Sequence, residues 1–196
     1  ELVRMCLPDV GVVTCVRPAH LEGLKTMGSL YREKMSLFAD TRTRAVLNAD
    51  DLYCRKAVLP NKIHWYGKNK RNHVFFSRRT TNDGSRRFFI NGKYPLHIPP
   101  FQEHFSSNIL AAIAAGRLLK ISLPELTERM NEFPYCLPGR MQLLHQRGVS
   151  IINDAYNANP YACIKALRSL KKYPYRKIAV LGDMLELGQK SAFYHQ

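Results

Sequence analysis

The sequence predicts an α/β protein in two parts, a first domain carrying an antiparallel β insert and the opening of a second α/β domain. Three observations carry this. Val10–Val16 is a continuous apolar run that empties into a long polar loop, the pattern of a buried strand leading to a helix. Asn82-Asp83-Gly84 and Asn91-Gly92 punctuate the stretch from His73 to Ile98 with residues that tolerate the positive φ angles of tight hairpins. Val149–Ile152 and Ile178–Leu181 are apolar runs on either side of a helical segment, which together read as one βαβ crossover. In open α/β sheets ligands bind beyond the carboxyl ends of strands, so the loops Asp154–Asn159 and Gly182–Gly188 are expected to share a functional face.

In chain order, the loop after Val16 reaches Ser29, placed to cap a helix whose apolar positions are Leu30, Met35, Leu37 and Phe38. Glu33 is expected in its first turn, and Lys34 lies on it. Ala45–Leu47 is a short strand closing in Asn48-Ala49-Asp50-Asp51, where Asp51 can cap a brief helix through Tyr53 and Ala57. Lys62–Tyr66 returns as a strand before the hairpins. Past Pro99-Pro100, residues Ser106–Leu119 form a helix with Ile109, Ala112, Ile113, Gly116 and Leu119 on its packed side, and Leu123–Asn131 form a second. Two prolines and a glycine within Phe133–Arg140 suit an interdomain connection, which sets the domains at 1–136 and 137–196. Met141–Leu144 and Val149–Ile152 then open the second domain. The first residues read as the end of a helix entering a strand, and the last stop without a third strand, so the chain is expected to be a piece of a longer protein.

Lys and Arg number 30 against 15 acidic residues, a net charge of +15 that favours anionic partners without choosing among them. The densest basic runs, Lys68–Arg71 and the pairs Arg78-Arg79 and Arg86-Arg87, flank strand ends and a turn and read first as solvated hairpin charges. A basic nucleic-acid-binding module is the rival reading, with Phe75 and Phe76 beside the charges; it predicts affinity that falls steeply with salt. RNP, KH and zinc-finger patterns are absent from the sequence. Five cysteines form no CxxC pair and suggest reduced thiols rather than a disulfide framework. No apolar run approaches the ~18 residues of a membrane span.

The stretches PDVGVVTCVRPAHLEG, REKMSLF, VLNADD, HFSSNILAAIAAG, LPGRMQLL, NDAYNANP and IAVLGDMLELG, in this order, resemble the Mur ligases, the ATP-dependent amide-forming enzymes of peptidoglycan synthesis. The resemblance runs from the first residues to the last. It implies part of a P-loop-type central ATPase domain followed by the start of a Rossmann-like C-terminal ligase domain. It also implies a cytoplasmic enzyme, monomeric when intact, that uses ATP and Mg²⁺ to join D-alanyl-D-alanine to a UDP-N-acetylmuramoyl-tripeptide through an acyl phosphate. No Gly-Lys-Ser or Gly-Lys-Thr P-loop occurs in the 196 residues, so catalysis by this stretch alone is not expected.

His20 and Lys34 stand at the spacing of the family's Mg²⁺-binding histidine and carbamoylated lysine, with Glu22 near enough to assist. An ammonium repels Mg²⁺, whereas a lysine that has reacted with CO₂ ends in carboxylate-like oxygens. Without the resemblance, Lys34 reads as a surface helix lysine and His20 as a loop histidine. Asn108 matches the second Asn of the family's helix start, where an amide can read an adenine edge; Phe105 replaces the first, and Ser106, Ser107 and Asn108 could equally serve as helix caps. Arg140 matches an arginine that reaches ATP phosphate, Asp154 a ribose-binding aspartate, and Tyr156, Asn157 and Asn159 line the nucleotide from the same loop. The bland alternative makes Asp154, Asn157 and Asn159 turn formers ahead of a helix begun by Pro160. Asp183 and Glu186 are assigned to the substrate side. Cys15, Arg17 and Ala155 depart from the family's usual residues.

Overall fold

The computed structural model describes residues 2–17, 26–80, 86–98, 103, 105–133, 137–171 and 173–196. The chain divides into two compact units, Glu1–Val16 with Gly28–Phe133 and Arg17–Met27 with Pro134–Gln196.

The first unit is built on one six-stranded sheet whose strands lie side by side in sequence order. After the short helix α1 (Leu2–Cys6), strands β1 (Val10–Val13), β2 (Arg44–Asn48) and β3 (Ile63–Gly67) run parallel, with Val12 opposite Val46 and Leu47 opposite Trp65. Ala45, Val46 and Leu47 are completely buried, as expected of an inner parallel strand covered on both faces. β1 is shorter than the apolar run that announced it.

The antiparallel part is present as expected and continues the parallel sheet at its edge. Strand β4 (Val74–Thr80) pairs parallel with β3 at Tyr66–Val74 and Gly67–Phe75, then antiparallel with β5 (Arg86–Ile90), which in turn pairs with β6 (Tyr94–Leu96). Long parallel overlaps need a crossover of about a dozen residues. The link from Gly67 to Val74 is shorter, and the parallel pairing stops after two residue pairs. At the β5–β6 turn, Asn91 and Gly92 adopt φ of 51° and 70°, the left-handed geometry the sequence called for. The Asn91 side chain adds a second fastening, accepting from Phe75 N at 2.8 Å and donating to His73 O at 3.1 Å. The turn 82–84 lies outside the described residues.

Helix α2 (Met27–Met35) starts two residues before Ser29, so Ser29 is not its cap and Glu33 lies past its first turn. The Ser29 hydroxyl instead accepts from Arg32 Nη2 at 3.3 Å. A 3₁₀ turn, Ser36–Phe38, continues α2 and brings Phe38 against Gly11, where an added Cβ would meet the Phe38 ring at 2.6 Å. Asp51 does cap: its Oδ1 accepts from Tyr53 N and Cys54 N, both at 3.0 Å, ahead of the 3₁₀ turn Cys54–Lys56. Helix α3 (Ser106–Leu118) buries Ile109, Leu110, Ala111, Ile113, Ala114 and Gly116, and helix α4 (Leu123–Glu132), capped by Ser122, lays Leu126 on Gly116.

His64, on β3, makes this unit sensitive to acid. Its ring lies 4.2 Å from that of His73, and its Nε2 is buried without a hydrogen-bond partner. Burial first, then the charges of His73, Arg117 and Lys62, push its pKa from 6.5 to about 4. The unfolded chain therefore takes up a proton between those values that the folded chain refuses. Stability is full above pH 6.5 and falls as pH drops toward 4, by about 1–2 kcal/mol once the ring's partial exposure is allowed for. Urea midpoints at pH 7 and pH 4.5 check this, and His64→Phe should flatten the difference.

In the second unit, β7 (Gln142–Gln146) and β8 (Val149–Asn153) form an antiparallel hairpin over a turn with φ of 50° at Arg147 and 76° at Gly148. Helix α5 (Pro160–Lys171) follows, and the chain closes with a 3₁₀ turn, Gly188–Lys190, and the short helix α6 (Ser191–Tyr194). The expected βαβ crossover is not completed. Ile178–Leu181 forms no strand, and Ile178, Val180 and Leu181 stay exposed, Val180 at 92%. A parallel strand exists only through its neighbour's hydrogen bonds, and among the described residues no strand pairs with this segment.

Candidate active site

At the carboxyl ends of β1 and β2 the first unit gathers polar groups. Lys34, half-buried on α2, donates from Nζ to Cys15 O at 2.8 Å. Asn48, 8% exposed at the last position of β2, donates to the preceding carbonyl, Thr14 O, at 2.9 Å and to Ser107 Oγ at 3.2 Å, and accepts from Asp50 N at 2.9 Å. Asp50 in turn accepts from Lys68 N at 3.1 and 3.2 Å through its two carboxylate oxygens, fixing the end of β3. A cleft of about 610 Å³ opens beside Lys34, lined by Val12, Val13, Thr14, Glu33, Ser36 and Leu37 among others. Asn108 is exposed in the first turn of α3, while Phe105 occupies the cap position without a side-chain cap bond. The serines therefore do not act as the helix cap, and Ser107 is instead tied to Asn48.

Cys54 is not a nucleophile here. Its thiol is buried, and burial together with the nearby Asp51 carboxylate pushes its pKa up to about 12. His20 and Glu22 lie outside the described residues. Among those described, no group of three or more His, Cys, Asp or Glu side chains is placed to hold a metal. With Lys34 as an ammonium, the described donors do not fit Mg²⁺, which seeks oxygen ligands.

The second unit holds a compact clamp. Pro138-Gly139 turns the chain, with Arg140 N bonded to Leu137 O at 3.1 Å and Gly139 at φ 69°, the glycine position of a type II turn. Gly139 O accepts from Tyr156 N at 3.0 Å, and a Cβ on Gly139 would lie 3.2 Å from that same nitrogen, so the loop needs a glycine there for space as well as for φ. Asp154 Oδ1 accepts from Met141 N at 3.0 Å. The Arg140 guanidinium lies 4.0 Å from the centre of the Tyr156 ring, which is otherwise exposed. Arg140, Asp154 and Tyr156 are thus brought together, and Asn157 stands exposed on the same loop.

Comparisons with known proteins agree with the α/β architecture. The model of the Mur ligase middle domain matches residues 1–116, more than half of the chain, and that of the Mur ligase glutamate ligase domain matches 139–196. The chain belongs to the Mur ligase family. It is 30% identical over 98% of its length to the UDP-N-acetylmuramoyl-tripeptide–D-alanyl-D-alanine ligase of Buchnera aphidicola subsp. Baizongia pistaciae, and 30% identical over its whole length to that of Bacillus subtilis. It spans 44% of the length of each of these relatives. Among solved structures, MurF from Acinetobacter baumannii superposes with a TM-score of 0.83 at 23% identity, covering 98% of this chain and 44% of that one. MurF ligase from Thermotoga maritima in complex with ADP gives 0.81 at 27% identity, over 99% and 46%.

Within this Mur ligase chain the structure adds detail to individual residues. Asn159 is the helix cap of the bland reading, its Oδ1 accepting from Ala162 N at 2.9 Å with Pro160 in the first turn of α5. Asn159→Ala should therefore cost about 1 kcal/mol, seen as a lower thermal midpoint, and Asn159→Ser should recover most of it. Asp183 and Glu186 are exposed, Glu186 with φ 61°, and nothing in their surroundings distinguishes a substrate role. Asn48, Ser107 and Gly139 were not singled out from the sequence as site residues. The signal for Asn48 was present: an Asn ending an apolar strand and followed by two aspartates.

Proposed function

We propose that this chain is part of an ATP-dependent ligase that adds D-alanyl-D-alanine to UDP-N-acetylmuramoyl-tripeptide in peptidoglycan precursor synthesis. The observation that carries the reading is the clamp of Arg140, Asp154 and Tyr156, which sets a guanidinium, a carboxylate and an exposed aromatic ring together, groups suited to the phosphate, ribose and flank of one nucleotide. The 30% identity of the chain to ligases named for that reaction supports the choice of substrates.

In this reading the tripeptide carboxylate attacks the γ-phosphorus of ATP, ADP leaves, and an acyl phosphate forms. The amine of D-alanyl-D-alanine attacks the acyl carbon; the amide forms, inorganic phosphate leaves and the amine's extra proton is lost. Arg140 holds phosphate oxygens, Asp154 the ribose, and Tyr156, Asn157 and Asn159 the nucleotide's flank, while Asn108 reads the adenine edge. Lys34, as a carbamate, and His20 would hold the metal ion, with Glu22 as an assisting residue, and Asp183 and Glu186 would serve the substrate. Neutral Lys34 Nζ adds to CO₂ and loses a proton, which turns a group that repels Mg²⁺ into one that fits it. When bound, the ion neutralises phosphate charge. The intact enzyme is cytoplasmic and monomeric.

The test is phosphate release by the intact protein. ATP, the UDP-linked tripeptide and D-alanyl-D-alanine together should give sustained release, and omission of any one should abolish it. Release that is indifferent to D-alanyl-D-alanine would contradict the assignment.

A further inference from the structure

We infer that Asn48 is a positioning residue that couples the metal-side lysine to the adenine-side helix; this rests on the function proposed above. Lys34, on the β1–β2 crossover, and Asn108, at the start of α3, are separated by 74 residues of chain. They meet through one buried amide. One Nδ2 hydrogen of Asn48 goes to Thr14 O and the other to Ser107 Oγ, the residue before Asn108. Lys34 rests on the very next carbonyl, Cys15 O. The amide oxygen is committed to Asp50 N, so both hydrogens and one acceptor position of Asn48 are in use inside the protein.

No other side chain of this size replaces that set. Aspartate has no donor and sets a charge beside a carbonyl oxygen; leucine leaves Thr14 O and Asp50 N without their side-chain partner in a partly buried place. A residue needed only to end β2 would require neither donor. A shift of Thr14 carries the adjoining Cys15 carbonyl, and with it Lys34, while a shift of Ser107 moves the adjoining Asn108. The Asn of VLNADD thus fixes the separation between the two sides of the site rather than touching nucleotide itself.

A double-mutant cycle on the intact protein tests this, with ATP affinity measured by calorimetry beside thermal midpoints and steady-state kinetics. Ser107 is partly exposed, so Ser107→Ala should fold normally and weaken ATP binding about 3- to 10-fold with an unchanged midpoint, while Ser107→Thr restores it. Asn48→Ala should weaken binding about 10- to 30-fold and lower kcat as well, because Lys34 moves too. Adding Ser107→Ala to Asn48→Ala should weaken binding no further, since the hydroxyl no longer has the amide to hold. Ser107→Ala with wild-type ATP affinity and KM would overturn the coupling, as would strictly additive losses in the cycle. Wild-type protein that fails to bind ATP would overturn the proposed function instead. Should Asn48→Ala not fold, the Ser107 pair decides alone.

Discussion

Lys34→Ala in the intact protein is expected to lower ligase turnover by roughly 10³-fold, the scale on which preorganised charge stabilisation is lost. The fold should tolerate the change. Lys34 is half-buried and gives up one hydrogen bond, to Cys15 O, worth about 1 kcal/mol. Carbamate chemistry separates two variants. Lys34→Arg keeps a cation that can reach a carbonyl but cannot form a carbamate, so it should be as inactive as Lys34→Ala. Added short carboxylic acids should restore part of the Ala variant's activity by occupying the space the carbamate leaves, and should do nothing for Arg, whose side chain fills it. Full activity in Lys34→Arg would reduce the lysine to a strut for the end of β1.

Arg140→Ala should have the next largest effect, a loss of about 10²–10³ in kcat/KM from a missing phosphate clamp. Arg140→Lys should recover only a small part. A lysine brings the charge but neither the planar fork that meets two phosphate oxygens nor the flat face that rests on Tyr156 at 4.0 Å. Tyr156→Phe keeps that face and should be close to wild type, whereas Tyr156→Leu removes it and should lower kcat/KM in the same direction as the arginine variants. Parallel kinetics for the four proteins check the order. A Lys variant equal to wild type would mean that charge alone is used.

What could be read from the sequence was what local chemistry dictates. Asn91-Gly92 had to turn left-handed, Asp51 had to cap, and Ala45–Leu47 together with Ile109, Ile113 and Gly116 had to be buried, whereas Ala112 and Leu119, expected on the same packed side, are exposed. Pairing was less legible. Ile178–Leu181 carries the composition of an inner strand, but a strand is defined by a neighbour, and among the described residues none pairs with it. The β3–β4 contact was hidden for the same reason: two pairs of parallel residues leave no periodic trace, so the hairpins read as an independent insert. The start of α2 was misplaced because Ser29 looks like a cap wherever it precedes apolar residues, and only the Arg32 contact shows that its hydroxyl is used within the helix.

The candidate site divides along the same line. Arg140 and the Asp154–Asn159 loop were legible as motif positions, and the turn at Gly139 explains why they are held side by side: glycine permits both the positive φ and the approach of Tyr156 N. Asn159 illustrates how a motif position can also have a purely local use, since its side-chain oxygen caps α5. Asn48 was hidden in plain view, because an Asn at a strand end ordinarily marks a turn. Its partners at Thr14 and Ser107 lie 34 and 59 residues away, beyond what any local pattern reports.

The acyl phosphate is the step on which the proposed chemistry turns, and isotope transfer reads it directly. With ¹⁸O in the terminal carboxylate of the UDP-linked tripeptide, the intact enzyme, ATP and D-alanyl-D-alanine should produce inorganic phosphate carrying one ¹⁸O atom per amide formed. Unlabelled phosphate accompanying labelled amide would contradict activation of the carboxylate by phosphoryl transfer.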